Sequence, residues 1–224
     1  MVEQSKVFSA GEGDAWFARN RHGLVAFDIN QDPVARSIAA SGITPRSILD
    51  LGCSAGTRLS ALSQHYGATG AGIDPSAAAI AEARARDPQH AWHVGTLDDH
   101  PLLQHRFDLV VVSFVLHWVD RRLLLKSLTG IDAVVANGGH VVISDFCTDH
   151  PVRREYHHLA GQGIFTYKND YPAMLLATGL YRPVFRHILA YPDCTPVRSG
   201  MRDRVQLAVL ERIKPDQILL EPTA

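Results

Sequence analysis

The chain has 224 residues, 46% of them hydrophobic, and a formal net charge of −1. That length and apolar share suffice to fill one core without help from disulfides or metals. Basic residues are scattered rather than gathered into runs, so no electrostatic footprint for a nucleic-acid backbone stands out and a polyanionic partner is disfavoured.

Cys53, Cys147 and Cys194 stand at unrelated spacings. They form neither a disulfide framework nor a Cys-x-x-Cys metal site, so a reducing, cytoplasmic setting is expected. The start, Met1 to Phe8, carries Glu3 and Lys6 and no apolar core. No later stretch approaches the roughly 18 apolar residues of a membrane span, so no membrane partner is expected.

In chain order, Phe8 to Ser41 reads as helical, with Asp14 as an N-cap and Asp32-Pro33 as a second helix start. Short β-rich runs then alternate with helical patterns. Ser47–Leu51, Gly70–Asp74, Ala91–Gly95, Phe107–Ser113 and Gly139–Asp145 are predicted strands. Thr57 to Tyr66 sets Leu59 and Leu62 on one helix face, Ser76 caps an alanine-rich helix reaching Arg86, and Arg121 to Thr129 suits another. Phe146 to Gly179, rich in His, Tyr and Gly, falls outside this rhythm, and Arg182–Tyr191 and Arg204–Arg212 are two late strands. Continuous apolar strands with helices between them predict an α/β fold, a doubly wound, seven-stranded, mostly parallel sheet covered on both faces. The expected organisation is a single domain over 1–224: a helical lid at 1–45, a cofactor-binding core at 46–145, a substrate lid at 146–180 and C-terminal strands at 181–224.

The run Ile48-Leu49-Asp50-Leu51-Gly52-Cys53-Ser54-Ala55-Gly56-Thr57 ends a strand, turns on glycine and opens a helix. Gly52 and Gly56 leave no Cβ where a ligand must approach the backbone, and a helix start offers free N–H groups to an anion. Asp74 ends the second strand, within the roughly 20-residue interval expected of a carboxylate that accepts from ribose hydroxyls. The spacing does not fit the Gly-x-Gly-x-x-Gly of dinucleotide-binding turns.

Asp50-x-Gly52 with the Asp74 tip resembles the class I (Rossmann-like) S-adenosylmethionine-dependent methyltransferases of small-molecule type, over about Ser47 to Asp145. The resemblance implies S-adenosylmethionine as cofactor and S-adenosylhomocysteine as product. It implies that Asp50, Gly52, Cys53, Ser54 and Gly56 underlie the methionine part and that Asp74 with Pro75 holds the ribose. Thr96, Leu97 and Asp98 fall where the family touches adenine, with Thr96 in the usual Asp place. Ser54 replaces the middle glycine of the commonest pattern, which is tolerable where that residue needs no positive φ. Ser113 and Trp118 follow the fourth strand, beside the transferable methyl.

Methyl transfer from a sulfonium chiefly needs alignment in a dry site, and a base where the acceptor must lose a proton. Leu116-His117-Trp118-Val119 resembles a segment of some small-molecule methyltransferases, among them ones acting on carboxylic acids, and His117 is the first candidate base. His157 and Tyr167 are further catalytic candidates. Trp16, Phe17, Arg19, Asp145, His150 and His158 are candidate lid and substrate residues. The His-rich segment matches no metal-ligand spacing, so no metal is expected. The expected partner is a small-molecule acceptor methylated on O or N, such as a sugar, a carboxylic acid or a natural-product intermediate. A possible homodimer is compatible with this reading. Competing readings are a nucleic-acid or protein methyltransferase, a non-catalytic cofactor-binding protein and, more remotely, a nucleotide oxidoreductase.

Overall fold

The computed structural model describes residues 4–25, 27–192, 194–197 and 204–218. The parts of the expected N-terminal lid and C-terminal segment at 1–3, 26, 193, 198–203 and 219–224 lie outside the described residues.

Short α1 (Gln4–Val7) runs through a π-helical turn, Phe8–Glu12, into α2 (Gly13–Val25), and α3 (Pro33–Ala40) follows. The last begins where the sequence places it: Asp32 accepts from the Ala35 N–H at 2.8 Å, and Pro33 occupies the first turn, where no N–H is needed. Strands and helices then alternate through β1 (Ser47–Leu51), α4 (Thr57–Tyr66), β2 (Thr69–Asp74), α5 (Ala77–Arg86), β3 (Ala91–Val94), β4 (Phe107–Ser113), α6 (Leu124–Val134) and β5 (Val135–Cys147). Ser76 caps α5 through the Ala79 N–H.

A hairpin of β6 (Val152–Glu155) and β7 (Phe165–Lys168), α7 (Tyr171–Leu176), β8 (Tyr181–Ala190) and β9 (Arg204–Arg212) complete the described chain. The seven-stranded sheet has the order β3-β2-β1-β4-β5-β9-β8. Its first five members pair in parallel, and β9 pairs antiparallel with both β5 and β8.

Neighbouring residues on a strand point to opposite faces, so continuous apolar strands feed two cores. On one face Leu49, Val110, Val112 and Ile143 pack against Ile131 of α6 and Tyr171 and Leu175 of α7. On the other, Ile48, Leu109, Val111 and Val142 meet Ile38, Leu59, Leu62 and Ile80 of α3, α4 and α5. Fixed on both sides, the carboxyl ends of the parallel strands carry the loops that build the site. The order reverses between β1 and β4, the switch point where open α/β sheets bind ligands.

Within the expected substrate lid, Val152–Glu155 and Phe165–Lys168 pair as antiparallel strands. Two local expectations are corrected. Asp14 lies inside α2 and caps α5 instead, accepting from the Ser76 hydroxyl at 2.6 Å and the Ala78 N–H at 3.1 Å. That choice pins the N-terminal helix to the sheet. Ser54 does adopt positive φ, +49°. The cost is offset because its N–H then donates to Asp74 Oδ2 at 2.8 Å.

Candidate functional site

Two cavities open at the carboxyl ends of β1, β2 and β4, and they share a wall made by Trp16, Gly52, Ser54, Ser113, Phe114 and Trp118. The first is lined further by Asp74, Pro75, Thr96, Leu97 and Asp98, with Gln4 and Phe8 of the N-terminal segment above. The second, of about 1110 Å³, holds His117, Phe146, His157, His158, Lys168 and Tyr191 on its walls.

Asp74 is held in place on the wall of the first cavity. Its Oδ2 accepts from Ser54 N–H and its Oδ1 from Ser76 N–H, at 2.8 and 2.9 Å. Burial nevertheless outweighs these donors and pushes its carboxyl up to about 6. Asp50 lies behind the glycine turn, 1% exposed, with neither carboxylate oxygen paired to a donor. Its carboxyl is also raised to about 6 by burial, with the nearby Arg58 guanidinium pulling the other way. Burial likewise raises the Cys53 thiol, which faces the second cavity rather than the first.

Gly52 turns at φ +84°, and a side chain there would run into Val115. Gly56 serves packing, not ligand approach: a Cβ would lie 2.1 Å from the buried Trp92 ring. At the boundary of the cavities Phe114 sits at φ +57°, a left-handed conformation that costs a non-glycine residue about 1–2 kcal/mol. The 2.7 Å bond from its N–H to the Ser144 carbonyl holds it there.

The floor of the second cavity is a paired histidine. His117 Nδ1 lies 2.8 Å from Asp145 Oδ1, and the His117 backbone N–H donates to Oδ2 at 3.2 Å. Phe146 N–H adds a 2.7 Å bond to Oδ1. Asp145 is wholly buried and lines neither cavity, so its expected lid role is corrected to a contact beneath His117.

Other expectations divide. Trp16, His157 and His158 reach the second cavity. Phe17 is buried against Ala55 and Ala79 as part of the core, away from either cavity. Arg19 is held by Glu12 and by the Tyr156 hydroxyl, so it is not directed at an acceptor. Tyr167 lies under the Arg121 guanidinium at 4.2 Å and lines neither cavity, and exposed His150 is likewise outside both.

Sequence reasoning missed Gln4, Phe114, Phe146, Tyr156 and Tyr191. Gln4 donates to the Trp118 and Phe165 carbonyls at 2.7 and 2.6 Å and accepts from Phe165 N–H, tying the N-terminal segment to β7 and to the wall of the first cavity. Tyr156 donates to Glu12 at 2.8 Å, a second tie. Phe114 and Phe146 follow predicted strand ends and Tyr191 closes a predicted strand, a signal that could have found them, whereas nothing local marks Gln4 or Tyr156. Among the described residues no group of three or more His, Cys, Asp or Glu is arranged around a metal position, and no helix is long and apolar enough to cross a membrane.

Residues 48–139 match the family model described as a methyltransferase domain. A methyltransferase of Synechocystis, described as uncharacterised, is 33% identical over 100 residues, 45% of this chain. That match spans about half of the relative's length, 47%. Among solved structures, the Burkholderia thailandensis 1,6-didemethyltoxoflavin-N1-methyltransferase superposes with a TM-score of 0.71 at 15% identity, covering 96% of this chain and 92% of that one. A TehB-like S-adenosylmethionine-dependent methyltransferase from Corynebacterium glutamicum gives 0.60 at 22% identity, over 92% and 99%. Residues 48–139 thus carry the likeness to the methyltransferase-domain model, and the chain that holds them has the class I S-adenosylmethionine-dependent methyltransferase fold.

Proposed function

We propose that the chain is a single-domain enzyme that binds S-adenosylmethionine in the first cavity and methylates O or N of a small metabolite held in the second. The observation that carries this reading is the wall the two cavities share, at Gly52, Ser54, Ser113, Phe114 and Trp118, where a donor on one side meets an acceptor on the other.

The residues suit that cofactor. Asp74, oriented by two backbone donors, keeps lone pairs for a ribose diol. Thr96, Leu97 and Asp98 line the cavity beyond it, where adenine would lie. Asp50 is not on the wall; its buried negative charge favours a cationic cofactor without touching it. When bound, S-adenosylmethionine supplies a methyl group already activated on a sulfonium. His117 takes the acceptor's proton, Trp16 and Trp118 exclude water, and His157 and His158 contact the acceptor.

The Burkholderia neighbour was crystallised with 1,6-didemethyltoxoflavin and S-adenosylhomocysteine, which supports a small molecule as acceptor. A chain with net charge −1 and scattered basic residues favours a diffusible partner over a nucleic acid, and the three cysteines at unrelated spacings support a cytoplasmic setting. Calorimetry tests the assignment. S-adenosylhomocysteine is expected to bind and NAD not to bind, with Asp74→Ala weakening the former while the fold persists. Tight NAD binding without S-adenosylhomocysteine binding contradicts it.

A further inference from the structure

We infer that the acceptor is a planar ring compound bearing a protic O–H or N–H on its edge, and that Asp145 sets the His117 tautomer that receives this proton. The inference rests on the methyl-transfer reading above and narrows it from any small metabolite to one chemical class.

The tautomer follows from the donors around Asp145. Oδ1 already receives the Phe146 N–H at 2.7 Å, and Oδ2 the His117 N–H at 3.2 Å. An acid proton on either oxygen would face an N–H, so the carboxylate acts as acceptor throughout. The 2.8 Å contact to Nδ1 is then a bond donated by the ring. That leaves Nε2 with a lone pair, on a residue that lines the second cavity. A lone pair there accepts a proton from a hydroxyl or ring N–H. It repels an ionised carboxylate, which has no proton to give and needs no base.

The ring follows from the walls beside that nitrogen. Phe114, Phe146 and Tyr191 form one cluster, with centroids 5.1, 4.9 and 6.0 Å apart. The Phe146 ring is also 5.0 Å from the His117 ring, edge to face. Phe114 is the residue at φ +57°, on the boundary between the cavities. A flat unsaturated ring gains offset or edge contacts with such walls. A polyol gains no such ring contacts there.

In the transfer the acceptor's oxygen or nitrogen bonds to the methyl carbon. The sulfur–carbon bond breaks with its electron pair left on sulfur, and the acceptor's proton passes to His117 Nε2. The imidazolium so formed is held against the Asp145 carboxylate. Asp145 is a positioning residue; His117 is the catalytic one.

The test begins with titration of S-adenosylhomocysteine, because failure to bind defeats the methyl-transfer reading by itself. Protein saturated with it is then titrated with naphthol, naphthoate and glucose. Naphthol is expected to bind at least about tenfold more tightly than the other two, a gap of about 1.4 kcal/mol. His117→Gln is expected to abolish the preference for naphthol over naphthoate. Naphthol binding that is absent, or no tighter than that of naphthoate or glucose, overturns the substrate class while leaving the cofactor reading intact. Nitrogen NMR of histidine-labelled wild-type protein, with no ligand present, reads the tautomer directly. A neutral His117 protonated on Nδ1 is expected, and one protonated on Nε2 overturns the role of Asp145. Asp145→Asn is expected to mix the two tautomers, a change that a purely structural contact would not produce.

Discussion

On the proposed ribose role, Asp74 should make the affinity for S-adenosylhomocysteine depend on pH, in a direction set by its burial. Its carboxyl is raised to about 6, and ribose hydroxyls can donate fully only to the ionised form. At pH 7.5 nearly every molecule is ionised. At pH 5 only about one in ten is, so affinity for S-adenosylhomocysteine should fall about tenfold, or about 1.4 kcal/mol. Asp50 is raised to about 6 as well, and the two carboxyls disfavour one another's charge, so the observed midpoint belongs to the pair. Substitution separates them. Asp50→Asn removes one titrating group but keeps the ribose anchor and should retain the fall. Asp74→Asn should bind roughly a hundredfold more weakly at pH 7.5, the loss of charged hydrogen bonds worth about 1.5–3 kcal/mol each. Its pH dependence over the same window should be much flatter. The assay is calorimetric titration from pH 7.5 to 5. A flat wild-type profile, or an Asp74→Asn protein with the wild-type slope, refutes the assignment of the ribose anchor.

Asp50 also bears on stability. Burial raises its folded-state pKa from 3.8 to about 6, so it contributes stability that is present below about pH 4 and lost as pH rises through about 6. Asp50→Asn should therefore stabilise the ligand-free protein at pH 8 by up to about 3 kcal/mol and bring nothing at pH 4, as read by urea unfolding. Gly56→Ala adds a Cβ 2.1 Å from the Trp92 ring at φ +74° and should destabilise by about 2–4 kcal/mol; an unchanged denaturation midpoint would count against that packing role. Tyr156→Phe removes the hydroxyl that bridges Glu12 and Arg19. It should speed hydrogen exchange in α2 and weaken S-adenosylhomocysteine binding by about fivefold to tenfold, or about 1 kcal/mol. Unaltered exchange would show that the tie does not hold the N-terminal segment.

What was legible in the sequence is what local chemistry fixes. The β-branched runs at Phe107–Ser113 and Gly139–Asp145 became β4 and the middle of β5, and Asp32 and Ser76 cap the helices they precede. The glycine turn and the Asp74 tip are equally local, and both line the first cavity. What escaped depends on residues far apart in the chain. Asp14 looked like the cap of its own helix, yet it serves α5, 62 residues on, because the fold brings that helix start beside it. His117 and Asp145 were each singled out, but for separate roles, since nothing over 28 residues announces a 2.8 Å contact. Tyr167 and Tyr191 are alike in sequence. Pairing of β6 with β7 turns the first toward Arg121, and the end of β8 delivers the second to the aromatic cluster.

A crystal structure with S-adenosylhomocysteine bound tests the central claim most directly. The account predicts the ribose on Asp74, the adenine beside Leu97, and the sulfur turned toward the wall at Phe114 and Trp118 that the second cavity shares. A ligand bound elsewhere, or one whose sulfur faces away from that wall, would contradict it.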